Sequence, residues 1–323
     1  MARRVRSSAP ALRLKKSEAD MYRTLLVPLD GSDFAEDALP LAKLLARKLG
    51  AELHLVHVIR PAPDADFKTP QEDLKWREEA REGVEGYLAG LAEEARNEGV
   101  STLTATLEGR IVPALRDYAA EQDVDLVVLT SHGAGGVRRW WLGSVADGLV
   151  RTAEIDLLVV RPWDDTEDRE PSSTRFRHII VPLDGSELAE TALEPAFRLA
   201  SGFGSRLALV RVVPAPVELT SIYGVSGVEV SGKGHRERVE EAQSYLDSVA
   251  ARFPEENLEV RVVESSSAAE GVVTSARDLQ GDLVVLSSHG RGGIERLVLG
   301  SVADKVVRST TRPVLLVRGR EEE

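Results

Sequence analysis

Two stretches of this chain carry residues suited to holding an anion, and they are near copies of each other. Residues 131–147 read SHGAGGVRRWWLGSVAD and residues 288–304 read SHGRGGIERLVLGSVAD. In each, a glycine is followed after nine residues by Gly-Ser: Gly133 leads to Gly143-Ser144, and Gly290 to Gly300-Ser301. Glycine lets a backbone approach oxygens that a Cβ would block. A Gly-Ser pair opening a helix aims N–H groups and a hydroxyl at one point, which suits a phosphate. Ser144-x-x-Asp147 and Ser301-x-x-Asp304 also read as capping boxes that fix where those helices start. A second repeated element is a carboxylate in a turn, Asp30-Gly31-Ser32 and again Asp184-Gly185-Ser186.

Other residues near the loops have a plainer reading beside the chemical one. Arg138 and Arg139 in the first loop, and Arg291 and Arg296 in the second, offset phosphate charge or are simply solvated. His132 and His289 hold equivalent positions, but no second histidine or carboxylate stands at ligand spacing, so they read as polar loop residues. Trp140-Trp141 become Leu297-Val298 in the second copy, which fits apolar packing and not base stacking. Gly227–Gly234 (GVEVSGKG) approaches a P-loop, but Gly234 stands where a Mg2+-holding Ser or Thr is required.

Each loop needs a strand before it and a helix after it, and the surrounding pattern supplies both. Thr24–Leu29 is a continuous apolar run, as in a strand covered on both faces. A helix follows to Leu49, with Pro40 disturbing its first turns and Gly50 ending it. Strands at Leu53–Ile59, Thr102–Leu107, Asp125–Leu129 and Leu157–Arg161 alternate with helices at 72–98, 111–121 and from Ser144 to 152. After residues 163–175 the pattern repeats: strands at His178–Leu183, Leu207–Val213, Leu258–Glu264, Asp282–Leu286 and Val314–Arg318. The helices of this copy fall at 187–201 (ended by Gly202), 236–252, near 268–279 and from Ser301. Alternating strands and helices imply an α/β fold, two tandem doubly wound domains each with a parallel sheet covered by helices on both faces. Ligands in such folds lie beyond the carboxyl ends of the strands, where the aspartate turns and glycine loops fall.

Composition narrows the partners. A chain of 323 residues suggests two domains of about 150 each. A net charge of −12 argues against broad binding to nucleic acid or anionic membranes, though not against a small anion held by local dipoles. With no cysteine there are no disulfides and no thiol catalysis. No apolar run approaches the roughly 18 residues of a membrane span, and no signal-type apolar segment follows the basic N-terminus. A soluble, cytoplasmic protein is expected. Residues 1–21 read as a disordered basic tail, with Met21 offered as the translational start, and 319–323 as a charged tail.

The repeated constellation resembles the universal stress protein (UspA-like) family, written twice in tandem, over 22–162 and 176–318, with 163–175 as linker. The family's ATP-binding pattern is Gly, two residues, Gly, nine residues, Gly, then Ser or Thr. Gly133, Gly143 and Ser144 match it, as do Gly290, Gly300 and Ser301; Thr130 and Ser287 replace the first glycine. The resemblance implies five-stranded sheets of order 3-2-1-4-5. It puts Asp30 and Asp184 near the ribose, and Val58 and Val212 against adenine through their backbones. It places Ser131, Val145, Ser288 and Val302 at the same sites, with ATP as ligand and Mg2+ in company.

Three functions remain open on these residues. The first is an ATP-binding stress or regulatory module with at most slow hydrolysis, because no residue is placed by motif to activate water. The second is a stress protein that binds no nucleotide and acts through dimerisation and protein partners, a reading favoured by the missing first glycine. The third is an ATP-using enzyme of related fold, which needs a nucleophile or base the sequence does not supply. The fifth strands, Leu157–Arg161 and Val314–Arg318, are apolar edges that want a partner. The family pairs domains through this strand, so the halves are expected to pair within the chain; homodimerisation is left open.

Overall fold

The computed structural model describes residues 3–4, 22–60, 70–131, 142–161, 176–216, 232–253, 257–288 and 299–318. The readings on Met21, His132, Gly133, Arg138, Arg139, Trp140, Trp141, His289, Gly290, Arg291, Arg296, Leu297 and Val298 lie outside these residues, as do 163–175, 227–231 and 319–323. Gly232–Gly234, the end of the rejected P-loop, opens a helix.

The first half runs β2 (Thr24–Leu29), α1 (Asp33–Glu36), α2 (Leu39–Leu49), β3 (Glu52–Ile59), α3 (Pro70–Asn97), β4 (Thr102–Glu108), α4 (Ile111–Glu121), β5 (Leu126–Thr130), α5 (Ser144–Thr152) and β6 (Asp156–Val160). The second half repeats it as β7 (His178–Pro182), α6 (Glu187–Glu190), α7 (Leu193–Phe203), β8 (Arg206–Pro214), α8 (Gly232–Ala250), β9 (Leu258–Ser265), α9 (Ala268–Asp278), β10 (Leu283–Ser287), α10 (Ser301–Ser309) and β11 (Val314–Val317). Within each half the strands are parallel, in the spatial order 3-2-1-4-5 of that half. The N-terminal tail, read as disordered, contributes a two-residue strand, β1 (Arg3–Arg4), antiparallel to β9 at the outer edge.

Alternation along each apolar run sends side chains to both faces. Leu25, Val27 and Leu29 join one core with α2 and α3, while Leu26 joins the other with α4 and α5. Pro40 sits in the first turn of α2, and the expected single helix is accordingly two, α1 and α2. The end of α7 corrects the sequence reading. Gly202 is helical, and Gly204, at φ 66°, adopts the left-handed conformation that stops the helix.

The two halves meet at their fifth strands. β6 and β11 pair antiparallel, with Leu158 opposite Leu315, making one sheet of eleven strands. Because that contact is antiparallel and each half is parallel, the carboxyl ends of the two halves open on opposite margins of the sheet. The helices α5 and α10 are tied across the joint by Arg308, whose Nη2 donates to Asp147 Oδ1 at 2.8 Å and whose Nε donates to Asp304 Oδ1 at 2.9 Å. Burial pushes the Asp147 carboxyl up, but hydrogen bonds and charge from Arg151 and Arg308 outweigh it and hold the group below its ordinary value. No helix among the described residues is long and apolar enough to cross a membrane.

Candidate functional site

In each half the strand that bears the aspartate turn lies between the strand bearing the valine and the strand bearing the glycine loop: β3-β2-β5, and β8-β7-β10. Asp30 follows directly on β2, and Asp184 comes one residue, Leu183, after β7. Each folds its carboxylate onto the next turn: Asp30 Oδ1 accepts from Ser32 N (3.1 Å) and Oγ (2.5 Å), and Asp184 Oδ1 from Ser186 N (2.9 Å) and Oγ (2.6 Å). The intervening glycines require it, with Gly31 at φ 80° and Gly185 at φ 83°. No atom lies within 4 Å of a Cβ built on Gly31. Gly31→Ala is therefore expected to cost only backbone strain, about 1 kcal/mol, measured by urea denaturation; a neutral effect would remove the requirement.

Ser131 and Ser288, the residues after β5 and β10, are fully buried. Their carbonyls accept from Gly143 N (2.6 Å) and Gly300 N (2.8 Å), fastening each strand end to the helix that follows. The capping-box reading is corrected here. Gly143 and Gly300 are the N-caps, and among the described residues no side chain caps either helix. Ser144 and Ser301 are the first helical residues, exposed at the helix start. Asp147 and Asp304 turn to arginines: Asp147 accepts from Arg151 and Arg308, and Asp304 from Arg308. The physical reason is the bond to Ser131 or Ser288, which fixes the glycine in extended geometry one residue before the serine. A helix with a glycine N-cap presents its first-turn N–H groups without an intrahelical or side-chain acceptor, the arrangement that holds an anion.

Val58 is buried at the end of β3, and Val212 is half-buried at the end of β8. Val145 is half-buried in the first turn of α5, and Val302 is exposed in the first turn of α10. Thr130 and Ser287, where the family pattern has its first glycine, are the last residues of β5 and β10, paired with Val160 and Val317. A short hydroxyl side chain is at home in that strand position. The structure thus brings strand-end carboxylate, valine and uncapped helix together at one margin in each half; Gly133 and Gly290 lie outside the described residues.

Sequence reading missed the scaffold of these sites. Tyr87 on α3 donates to Glu36 on α1 (2.8 Å), and Tyr245 on α8 donates to Glu190 on α6 (2.9 Å). Each pair ties the helix after the aspartate turn to the helix layer above it. Burial, then the glutamate, pushes both phenols well above the ordinary tyrosine value. His57 lies opposite Leu29, the residue before Asp30. Burial pulls its ring below the ordinary histidine value against the pull of Asp30. The signal was in the repeat, where tyrosine and glutamate recur at matching places in both copies.

Comparison with known proteins fits this geometry. The model of the universal stress protein family matches residues 21–161 and again 175–318. A universal stress protein of Mycobacterium tuberculosis is 28% identical over 302 residues, covering 91% of this chain and 96% of that protein. A shorter relative from Staphylococcus haemolyticus, named a putative universal stress protein, is 32% identical over 154 residues, 46% of this chain and 91% of its own. Among solved structures, a universal stress protein from Archaeoglobus fulgidus superposes with a TM-score of 0.66 at 20% identity, covering 92% of this chain and 98% of that one. With two matches that together take in most of its length, the chain belongs to the universal stress protein family as a tandem, two-domain member.

Proposed function

We propose that this is a cytoplasmic, regulatory ATP-binding module, with a nucleotide site at the carboxyl margin of each half. One observation carries the reading: in both copies a helix with a glycine N-cap and no side-chain cap opens beside a strand-end aspartate. The triphosphate lies on the first turns of α5 and α10, with Ser144 and Ser301 as hydroxyl donors. The ribose meets Asp30 or Asp184, and adenine meets the backbone of Val58 or Val212. Among the described residues no group of three or more His, Asp or Glu side chains could hold a metal ion. Mg2+ would come in company with the triphosphate. Hydrolysis is at most slow, since the sequence motifs place no residue to activate water. The halves act as one body, paired in the chain through β6 and β11, with no nucleic acid or membrane as partner.

Isothermal calorimetry with ATP tests the reading. The wild-type chain is expected to bind, and the double variant Gly133→Val, Gly290→Val to bind at least tenfold more weakly, since a branched side chain blocks the backbone approach. Equal affinity in both proteins would defeat the site assignment. Absence of binding in the wild type would favour the second reading, a stress protein acting through partners without nucleotide.

A further inference from the structure

The arginines that follow the fifth strands reach across the joint to the helices that build the opposite sites. Arg161, after β6, donates from Nη2 to Val307 O at 2.6 Å and from Nε to Thr310 O at 3.1 Å, at the carboxyl end of α10. Arg318, after β11, donates from Nη2 to Val150 O, near the carboxyl end of α5. A cation there complements the negative pole of a helix, as an anion complements the positive pole at its start. Each of these nine-residue helices therefore has its amino end at one site and its carboxyl end gripped by the other half.

Arg161 does more. Its Nη1 lies 3.4 Å from Ser131 Oγ, at the buried base of the first site's glycine loop. One guanidinium thus touches the loop base of the first site and the far end of the helix that opens the second. Its own freedom is small: it is partly buried, and burial together with the charge of Arg308 pulls it below the ordinary arginine value. Arg308 in turn bridges α10 to α5 through Asp147.

We propose that Arg161 is a positioning residue that couples the two nucleotide sites, so that occupancy of the second tightens binding at the first. The inference rests on the nucleotide reading above. An anion on the first turn of α10 polarises that helix and strengthens the carbonyl grip on Arg161 at its other end. The guanidinium is then held against Ser131, and the loop base of the first site is set before its ligand arrives. By linkage the effect is reciprocal.

The test measures ATP affinity at the first site by calorimetry in the full chain, with the second site intact or disabled by Gly290→Val. The expected result is about fivefold weaker binding at the first site when the second is disabled. Arg161→Met is expected to abolish that difference while ATP still binds, and Arg161→Lys, which keeps the charge but not the forked donors, to restore it in part. Thermal melting of each variant checks that the joint is intact. Equal first-site affinity with and without Gly290→Val overturns the coupling, as does tighter binding on disabling the second site. A difference that persists in Arg161→Met overturns the assignment to this residue. A wild-type chain that binds no ATP at either site overturns the nucleotide reading itself, and the coupling with it.

Discussion

Asp156→Ala is expected to lower the stability of the folded chain by about 3 kcal/mol. Asp156 opens β6 and is buried. Its Oδ2 accepts from the Tyr22 hydroxyl at 2.7 Å and its Oδ1 from the backbone N–H of Arg318 at 2.8 Å. The antiparallel joint creates this corner, because the start of β6 lies against the end of β11. Burial pulls the Arg318 guanidinium below its ordinary value, and Asp156 is the charge that opposes it. The Nε of Arg318 is already buried without a hydrogen-bond partner. Alanine would leave that cation facing only carbonyl oxygen and would remove the acceptor of the Tyr22 hydroxyl's hydrogen bond. Urea denaturation at neutral pH gives the measurement: the midpoint falls and the slope holds. A loss under 1 kcal/mol would mean that the corner does not hold the joint.

The pseudo-equivalent corner sharpens the same point. There Phe176 stands for Tyr22 and Pro313 for Asp156, both buried, with Arg161 in the place of Arg318. Among the described residues that arginine is met by no carboxylate, and it donates to Val307, Thr310 and Ser131. An apolar corner is therefore compatible with the fold, and Tyr22→Phe combined with Asp156→Ala should lose less than the sum of the single changes.

Much of this fold was legible because its signals are local. Runs such as Thr24–Leu29 and Leu126–Leu129 are apolar on both faces, and the repeat supplied every element from β2 onward twice. Where the reading slipped, a distant contact decided. Ser144 has the side chain of a cap, yet Gly143 takes the position, because its N–H is held by the carbonyl of Ser131, on the far side of the glycine loop. At the end of α7, Gly202 read as the stop, but backbone geometry chose Gly204. Arg161 and Arg318 closed the strands expected to pair, but their reach to the opposite helices was not legible. Each is an arginine after an apolar run, and the helix carbonyls it reaches across the joint lie more than a hundred residues away in sequence. The site was legible to the extent that it repeats: aspartate, valine and serine recur in order. Its supports, Glu36 with Tyr87 and Glu190 with Tyr245, join elements that only the folded layers bring together.

Leu315→Lys is expected to have the largest effect of all, more than about 4 kcal/mol. Leu315 is 1% exposed, lies between β10 and β6, and faces Leu158 across the joint. Both apolar cores run through the joint, so residues of the two halves share each cluster. Shared cores make the halves unfold together, and calorimetry of the wild type should show one transition. A lysine at 315 places an ammonium in an apolar layer without a partner and frees the β6 edge, whose alternating backbone groups would then seek another strand. Two transitions, or association detected by light scattering, are the expected outcome. Leu103→Lys is the control, since Leu103 is 45% exposed on the outer strand β4, and its effect should stay within about 0.5 kcal/mol. If Leu315→Lys melted like the wild type, the halves would be independent domains in contact, and neither the joint nor the arginines that cross it could carry a signal between the two sites.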